Sequence, residues 1–170
     1  MILMESDVHF KLEPIMFEDG HAAIDIFNHY IVNTFAAYPE NAVPYEFFGL
    51  FMKMAEGYPF LAAKDKGGRL LGFGLLRPHN PISAFSNTAE ITCFLSPECT
   101  GKGIGRAIVE RLLSEARQKG LTNVLAGISS LNAGSISFHE KCGFVHCGLF
   151  LKVGRKRGQE FDVVWMQRTL

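Results

Sequence analysis

The segment Thr100-Gly101-Lys102-Gly103-Ile104-Gly105-Arg106 places three glycines at alternating positions beside two basic side chains. It lies between a predicted strand over 89–95 and a predicted helix over 104–119. Glycine lets the backbone turn tightly and puts no Cβ between its N–H groups and a ligand. Such N–H groups, with a helix N-terminus behind them, bind phosphate or pyrophosphate. The segment therefore predicts an anion-binding turn, to which Lys102 and Arg106 would add positive charge.

The order of the glycines excludes two common nucleotide-binding loops. A P-loop ends in Gly-Lys-Ser or Gly-Lys-Thr, whereas Gly105-Arg106-Ala107 stands here. The dinucleotide fingerprint has the order Gly-x-Gly-x-x-Gly early in a β-α-β unit, and this segment comes late in the chain. Three glycines alone also fit an ordinary turn from a loop into a helix, so the segment by itself does not identify a ligand.

Hydrophobic periodicity predicts alternating strands and helices over the rest of the chain. A turn at Asp65-Lys66-Gly67-Gly68 joins two strands as a hairpin. Glu18 and Asp19 open a first helix, and Pro44 starts a second helix. The predicted strands cover 8–14, 60–64, 70–76, 89–95, 124–128, 144–151 and 161–166, a loop covers 77–87, and further helices cover 104–119 and 135–141. We expect an α/β fold with a mixed, twisted sheet.

Composition restricts the classes of function. The chain has 170 residues, enough for one domain with a sizeable core. It carries 17 basic and 17 acidic residues, so we expect no broad nucleic-acid-binding surface. The richest apolar run, 47–52, is too short to span a bilayer, and residues 1–10 lack the apolar core of a signal peptide. The four cysteines form no C-x-x-C pair, which argues against a zinc site and favours a reduced, cytoplasmic setting.

A second motif follows the glycine segment and makes the pattern specific. It reads Asn132-Ala133-Gly134-Ser135-Ile136-Ser137-Phe138-His139-Glu140-Lys141-Cys142-Gly143-Phe144. Together with residues 96–105, it resembles the two cofactor motifs of the GNAT acetyltransferases. Residues 28–30, 126–128, 153–156 and 162–167 are similar to the phosphinothricin N-acetyltransferase branch of that family. The resemblance implies one GNAT domain over 1–170, with a mostly antiparallel sheet of about six to seven strands, splayed at the acetyl-CoA site and flanked by about four helices.

The resemblance also implies which residues would hold acetyl-CoA. The pantetheine arm would run beside the strand that precedes the glycine segment, along Cys93, Phe94 and Leu95. Asn132 would contact the pantetheine or acetyl end, and Lys141 would reach the coenzyme. The pyrophosphate would lie against Gly101, Lys102, Gly103, Ile104, Gly105 and Arg106. No metal is expected.

Two side chains are candidates for the chemistry of acetyl transfer. The attacking amine must be neutral, so a base has to remove a proton from an ammonium group. Glu90, at the start of the strand that leads into the glycine segment, stands where the resembling branch has its carboxylate base. We expect it to be partly buried beside Phe85 and Phe94. His139 stands where many GNAT enzymes have a tyrosine that acts as an acid, and imidazole can serve as acid or base near neutral pH.

The acceptor is predicted less sharply than the cofactor. Relatives in the resembling branch acetylate the α-amino group of phosphinothricin, methionine sulfoximine or methionine sulfone. Arg77 would clamp an α-carboxylate, while Phe35, Tyr38 and Phe85 would wall an apolar pocket. The chain departs from the branch at 38–40, at Ser86 and at 159–161, which are regions expected near the acceptor.

Three functions therefore remain open. The first is N-acetylation of a small α-amine, the second is acetylation of a protein or peptide amine, and the third is coenzyme A binding without catalysis. A closed pocket with aromatic walls would favour the first, and a wide groove would favour the second. The branch often forms homodimers through its C-terminal strands, and the apolar content of this chain permits that assembly.

Overall fold

Seven β-strands and four α-helices make up residues 9–170, the part of the chain that the computed structural model describes. The predicted strand start at residue 8 lies outside that part. The strands are β1 (Phe10–Pro14), β2 (Phe60–Asp65), β3 (Leu70–Pro78), β4 (Thr88–Leu95), β5 (Asn123–Ser129), β6 (Val145–Lys156) and β7 (Gln159–Thr169). The helices are α1 (Gly20–Asn33), α2 (Phe48–Met54), α3 (Ile104–Gln118) and α4 (Ala133–Lys141). The predicted α/β fold class is confirmed.

All seven strands belong to one sheet with the order β1-β2-β3-β4-β5-β7-β6. Every neighbouring pair is antiparallel except β4 and β5, which are parallel. That parallel pairing is short, since it runs only from Thr88 opposite Asn123 to Glu90 opposite Leu125. Beyond Glu90 the two strands separate, while β4 stays paired with β3 and β5 stays paired with β7. The sheet is therefore mixed, mostly antiparallel and splayed, as predicted.

Helices cover both faces of the sheet, and alternate side chains of β2 and β3 enter two separate cores. Leu75 packs with α1 and α2, whereas the next residue, Leu76, packs with α3. A Cβ at Gly74 would lie only 2.5 Å from the side chain of Ile108, so this glycine lets α3 lie close to the sheet. Within residues 9–170, no helix combines the length and apolar character that a membrane span requires.

Predicted boundaries were wrong in three regions of the chain. β3 continues through Arg77 to Pro78 because both residues pair with β4, so the predicted loop over 77–87 begins later. Pro44 does not start α2; the Phe47 N–H donates to the Pro44 carbonyl in a tight turn, and α2 begins at Phe48. β6 and β7 run well beyond 144–151 and 161–166, because pairing with each other extends both strands to a turn at 157–158.

Candidate active site

A cleft of about 1010 Å³ opens where β4 and β5 diverge. It crosses the splay of the sheet and reaches the glycine segment at one end and the α1–α2 side at the other. Past Glu90, the edge of β4 that faces β5 has no strand partner within residues 9–170. An extended polar chain could therefore bond to this edge as an added strand would.

The glycine segment forms an anion-binding turn at the mouth of the cleft. Gly101 and Gly103 have φ angles of 73° and 80°, a left-handed conformation that favours glycine. Gly103 caps α3, and in the described chain no side chain bonds to the first turn of that helix. The first recorded bond of the helix goes from the Ala107 N–H to the Gly103 carbonyl. The N–H groups of 104–106 thus remain available to a phosphate, as at other helix N-termini, so the turn can hold a phosphate or pyrophosphate group.

The second motif forms the neighbouring wall. Asn132 caps α4, and its side-chain oxygen accepts from the Ser135 N–H at 3.2 Å. His139 is buried between the rings of Phe138 and Phe144, with ring centres 5.2 and 5.1 Å away. The His139 Nδ1 lies 2.8 Å from the Ser135 carbonyl oxygen. A carbonyl can only accept, so Nδ1 carries the proton and Nε2 is an acceptor in the neutral ring.

Burial lowers the pKa of His139, and the bond to the Ser135 carbonyl opposes that lowering in part. The neutral imidazole is therefore favoured. A neutral ring that donates through Nδ1 can receive a hydrogen bond or a proton at Nε2. It has no second proton to give.

Glu90 lines the cleft and is buried, with both carboxylate oxygens engaged. Arg77, its cross-strand neighbour on β3, donates from its guanidinium to Oε2. The His79 Nδ1 lies 2.8 Å from Oε1. The burial expected for Glu90 is present, and Arg77 and His79 hold the carboxylate at the point where β4 leaves β5.

The half of the cleft on the α1–α2 side has mostly apolar walls. Tyr30 donates from its hydroxyl to the Leu95 carbonyl at 2.6 Å, and Tyr38 donates across the cleft to the Gly127 carbonyl at 3.3 Å. Burial raises the pKa of both hydroxyl groups. Tyr38 also stacks on Phe161, with 5.6 Å between ring centres. The other aromatic and large apolar lining residues are Phe27, Phe47, Phe51, Met54, Phe94, Phe150, Val163 and Trp165.

The tip of the β6–β7 hairpin anchors the loop that carries Tyr38. The Lys156 side chain is fully buried, and its Nζ donates to the carbonyls of Ile31, Thr34 and Ala37 at 2.6, 2.9 and 2.7 Å. Burial, followed by the nearby Arg157 charge, lowers the pKa of this ammonium. Arg157 also donates to the Ile31 carbonyl, at 2.6 Å. Lys156 therefore caps the C-terminal end of α1 and fixes the start of loop 34–40.

Cys93 lies in the cleft wall on β4, but it is not an activated nucleophile. Burial raises the pKa of its thiol to about 12, and the nearby Cys142 adds to the effect. The thiolate is the reactive form of cysteine. Within residues 9–170, no three His, Cys, Asp or Glu side chains are grouped as metal ligands would be.

The structure brings most of the predicted site residues to one cleft. Those that line it are Tyr38, Arg77, Glu90, Cys93, Phe94, Leu95, Gly101, Gly103, Gly105, Arg106, Asn132 and His139. Five do not line it. Ile104 is a core residue, Lys102 and Lys141 are exposed, Phe35 packs on Phe161, and Phe85 packs on His79. Ile104 and Lys102 still offer backbone N–H groups beside the turn.

The sequence did not single out His79, Trp165 or Lys156. The sequence did carry a signal for His79. Arg77 and His79 are two residues apart, so in an extended strand their side chains point to the same face, and Arg77 pairs with Glu90. That signal required β3 to extend through Arg77. Trp165 and Lys156 reach their positions only through long-range packing, and local sequence carries no sign of it.

Comparison with known proteins shows that this chain is similar to acetyltransferases. The sequence model of the Acetyltransferase (GNAT) family matches residues 23–144. The chain is 36% identical over 115 residues to an L-methionine sulfoximine/L-methionine sulfone acetyltransferase of Pseudomonas paraeruginosa, covering 68% of this chain and 67% of the relative. It is 28% identical to a phosphinothricin N-acetyltransferase of Streptomyces coelicolor, covering 98% and 100% of the two chains.

Solved structures with the same fold include enzymes with different named acceptors. A GNAT phosphinothricin acetyltransferase from Sinorhizobium meliloti in complex with acetyl-CoA is 29% identical, with a TM-score of 0.89 over 95% of this chain and 88% of that chain. A ribosomal-protein-alanine N-acetyltransferase from Brucella melitensis is 30% identical, with a TM-score of 0.88 over 94% and 99%. The fold is thus shared by enzymes named for a small acceptor and for a protein acceptor.

Proposed function

The chain belongs to the GNAT acetyltransferase family and is an acetyl-CoA-dependent N-acetyltransferase; from that premise we propose that it acetylates the α-amino group of a small amino-acid-like acceptor, with Glu90 as the general base. The position of Glu90 is the observation that carries this proposal. Its carboxylate is buried in the cleft wall at the splay between β4 and β5.

Glu90 supports direct transfer between the two substrates. An ammonium group cannot attack a thioester until it loses a proton, and a carboxylate within hydrogen-bond reach can take that proton. The neutral amine is itself a good nucleophile, so the protein needs to supply position and a base. Cys93 does not carry the acetyl group in this scheme, because burial raises the pKa of its thiol to about 12 and the thiol stays protonated at neutral pH.

We assign the coenzyme to the glycine turn and the α3–α4 side of the cleft. The residues predicted to hold it that line the cleft include Gly101, Gly103, Arg106 and Asn132. His139 would act there in its neutral form, with Nε2 as an acceptor that positions a donor or receives a proton. A His139→Gln variant should keep its affinity for acetyl-CoA within about threefold while its turnover falls; unchanged turnover would remove His139 from the mechanism.

The walls of the cleft favour a small acceptor over a protein acceptor. Tyr38 reaches across the cleft to Gly127 and narrows the α1–α2 side. The aromatic lining leaves few polar groups with which to bind an extended peptide. The names of the relatives from Pseudomonas paraeruginosa and Streptomyces coelicolor point to amino-acid analogues with a compact polar head. A screen for thiol release should include L-methionine sulfone, phosphinothricin, polyamines and peptides with N-terminal alanine. Turnover with peptides alone would reverse this assignment.

Arg77 is the proposed partner of the acceptor's α-carboxylate. Its recorded contact with Glu90 uses one of five guanidinium N–H groups, which leaves others for a second carboxylate. The test compares L-methionine sulfone with the amine that lacks its carboxylate, in the wild type and in Arg77→Gln. A clamp predicts that the variant loses more activity toward the amino acid than toward the amine. An equal loss on both would show that Arg77 acts only through Glu90.

The decisive variant for the base is Glu90→Gln, which keeps the size of the side chain and removes its charge. We expect turnover to fall at least a hundredfold, within the range for loss of a general base, with little change in coenzyme affinity. Glu56→Gln is the matched control because Glu56 is exposed in the turn after α2. If Glu90→Gln retained near-normal turnover, Glu90 would not be the base.

We further propose that two copies associate through β6. This edge strand is 12 residues long and exposes apolar side chains, among them Val145, Leu149, Leu151 and Val153. An edge with unpaired backbone groups and apolar side chains is a natural interface. Light scattering should give the mass of a dimer, and Leu151→Glu should give a monomer. A monomeric wild type at micromolar concentration would exclude the assembly.

A further inference from the structure

His79 occupies a position between the base and solvent. Glu90 lines the cleft and its side chain is 12% exposed, whereas the His79 side chain is 32% exposed and does not line the cleft. The two side chains meet at 2.8 Å, between Glu90 Oε1 and His79 Nδ1. The order from the cleft outward is therefore Glu90 and then His79. We propose that His79 is the proton outlet of the enzyme, which receives the acceptor's proton from Glu90 and releases it to water.

This proposal rests on the proposed function, because it takes Glu90 as the first proton acceptor. Each acetyl transfer to an ammonium group releases one proton, which must leave before the next cycle. The Arg77 guanidinium binds Oε2, so Oε1 is the oxygen from which Glu90 can pass a proton to His79. Acceptor and coenzyme would fill the cleft side of Glu90 during the reaction. His79, on the other oxygen, offers an exit that does not cross the substrates.

The transfer balances in two steps. The acceptor ammonium gives a proton to the Glu90 carboxylate and becomes the neutral amine that attacks the thioester. The carboxyl group of Glu90 then gives that proton to Nδ1 of a neutral His79 ring protonated at Nε2. The resulting imidazolium loses its Nε2 proton to water, and Glu90 is again a carboxylate that accepts from the Nδ1–H. The neutral ring then moves its remaining proton from Nδ1 to Nε2 by exchange with water, which restores the starting tautomer, so that each cycle releases one proton. Imidazole suits this role because it gains and loses protons readily near neutral pH.

The surroundings of His79 hold the ring against Glu90. The His79 N–H donates to the Thr88 carbonyl at 3.2 Å, which continues the β3–β4 ladder past Pro78. The rings of Phe85 and Trp165 meet the imidazole edge to face, with centres 6.1 and 6.5 Å away. Glu90 and Arg77 are the charged groups found at this cluster within residues 9–170. Phe85, which was predicted to form a wall of the acceptor pocket, thus packs against His79.

The test uses the full chain with acetyl-CoA and L-methionine sulfone, or with whichever amine turns over fastest in the acceptor screen. His79→Gln keeps a hydrogen-bond donor toward Glu90 and cannot relay a proton, while His79→Ala leaves space for an added imidazole. His21→Gln is the control, since His21 is exposed on α1 and stacks on Tyr45 away from the cluster. We expect kcat to fall at least tenfold in both His79 variants, with the KM for acetyl-CoA unchanged. Added imidazole should restore kcat at least fivefold in His79→Ala and leave His79→Gln unchanged.

The outcomes separate this proposal from the assignment of Glu90. If Glu90→Gln is inactive and both His79 variants keep kcat within twofold of the wild type, the outlet is refuted and the base stands. If Glu90→Gln is active, the base assignment fails whatever the His79 variants do. A loss of kcat in His79→Ala that imidazole does not restore, with an unchanged melting temperature, would assign His79 to holding Glu90 in place and would also overturn the outlet.

Discussion

The substitution Lys156→Met tests whether the hairpin tip sets the shape of the acceptor pocket. Methionine keeps an unbranched apolar stem but removes the ammonium that donates to the carbonyls of Ile31, Thr34 and Ala37. Lys156 is 0% exposed, so water cannot readily replace those bonds in a folded variant. Nothing in the methionine side chain can donate to the three carbonyls.

The size of the effect follows from counting the acceptors left without a donor. The Ile31 carbonyl keeps its bond from Arg157, whereas the carbonyls of Thr34 and Ala37 lose the Lys156 donor. Each buried group that loses its partner costs about 1–3 kcal/mol, and the lower figure for two carbonyls gives about 2 kcal/mol. Relief from burying a charge offsets part of that cost. For a chain of this length, about 1 kcal/mol shifts the melting temperature by roughly 2–4 °C. We therefore expect the melting temperature to fall by roughly 4–8 °C in Lys156→Met.

The effect of Lys156→Met on the kinetics should be confined to binding of the acceptor. Loop 34–40 carries Tyr38, which closes the α1–α2 side of the cleft, while the glycine turn lies on the other side. The KM for the acceptor should rise on the order of tenfold, equivalent to about 1.4 kcal/mol, and the KM for acetyl-CoA should not change. Arg155→Met is the control because Arg155 is the exposed neighbour on the same strand. A melting temperature within about 2 °C of the wild type, or an equal rise in both KM values, would refute the idea that Lys156 fixes loop 34–40.

Three further predictions address the coenzyme side. Gly105→Val should raise the KM for acetyl-CoA about tenfold or more, because even a Cβ there would lie 3.2 Å from the Leu95 side chain at the cleft wall; steady-state kinetics with an unchanged KM would contradict it. Burial lowers the pKa of His139 below its ordinary 6.5, so the unfolded chain binds the extra proton first. The free energy of unfolding therefore falls as the pH drops below that value. Urea titrations should show a smaller fall in the free energy of unfolding of His139→Gln over the same pH range. Burial raises the pKa of the Cys93 thiol to about 12, so iodoacetamide at neutral pH should leave Cys93 unmodified in the folded chain and should alkylate it after unfolding in urea; mass spectrometry showing early modification of Cys93 in the folded chain would disprove its protonated state.

The coenzyme half of the site could be predicted from sequence because its chemistry is local. Left-handed glycines, a helix start and an asparagine cap each depend on residues within a few positions of one another. The glycine turn at 100–106 accordingly leads into a helix at Ile104, as predicted, whereas α4 begins two residues before the predicted start at 135 because Asn132 caps it. Gly101, Gly103 and Asn132 line the same cleft. In such segments, the order of neighbouring residues is enough to predict the local structure.

The acceptor half resisted prediction because its contacts join distant parts of the chain. Lys156 meets α1 across more than a hundred residues, and Tyr38 meets Gly127. The sequence predicted a loop over 77–87, whereas pairing with β4 continues the strand to Pro78 and brings Arg77 to Glu90. Local propensity predicts none of these contacts, since tertiary pairing decides them.

The alternation of β4 explains how one strand can serve both substrates. Successive side chains of a strand point to opposite faces, so Glu90 and Phe94 face the α1–α2 side while Cys93 and Leu95 pack on the α3 side. The coenzyme contacts predicted for 93–95 then depend chiefly on the free backbone edge of β4. The N–H and C=O groups of that edge are present whatever side chains these residues carry. Acceptor preference can change through loop 34–40 and the β6–β7 hairpin without disturbing that edge. The departures from the branch predicted at 38–40 and 159–161 fall in loop 34–40 and in the β6–β7 hairpin, away from that edge.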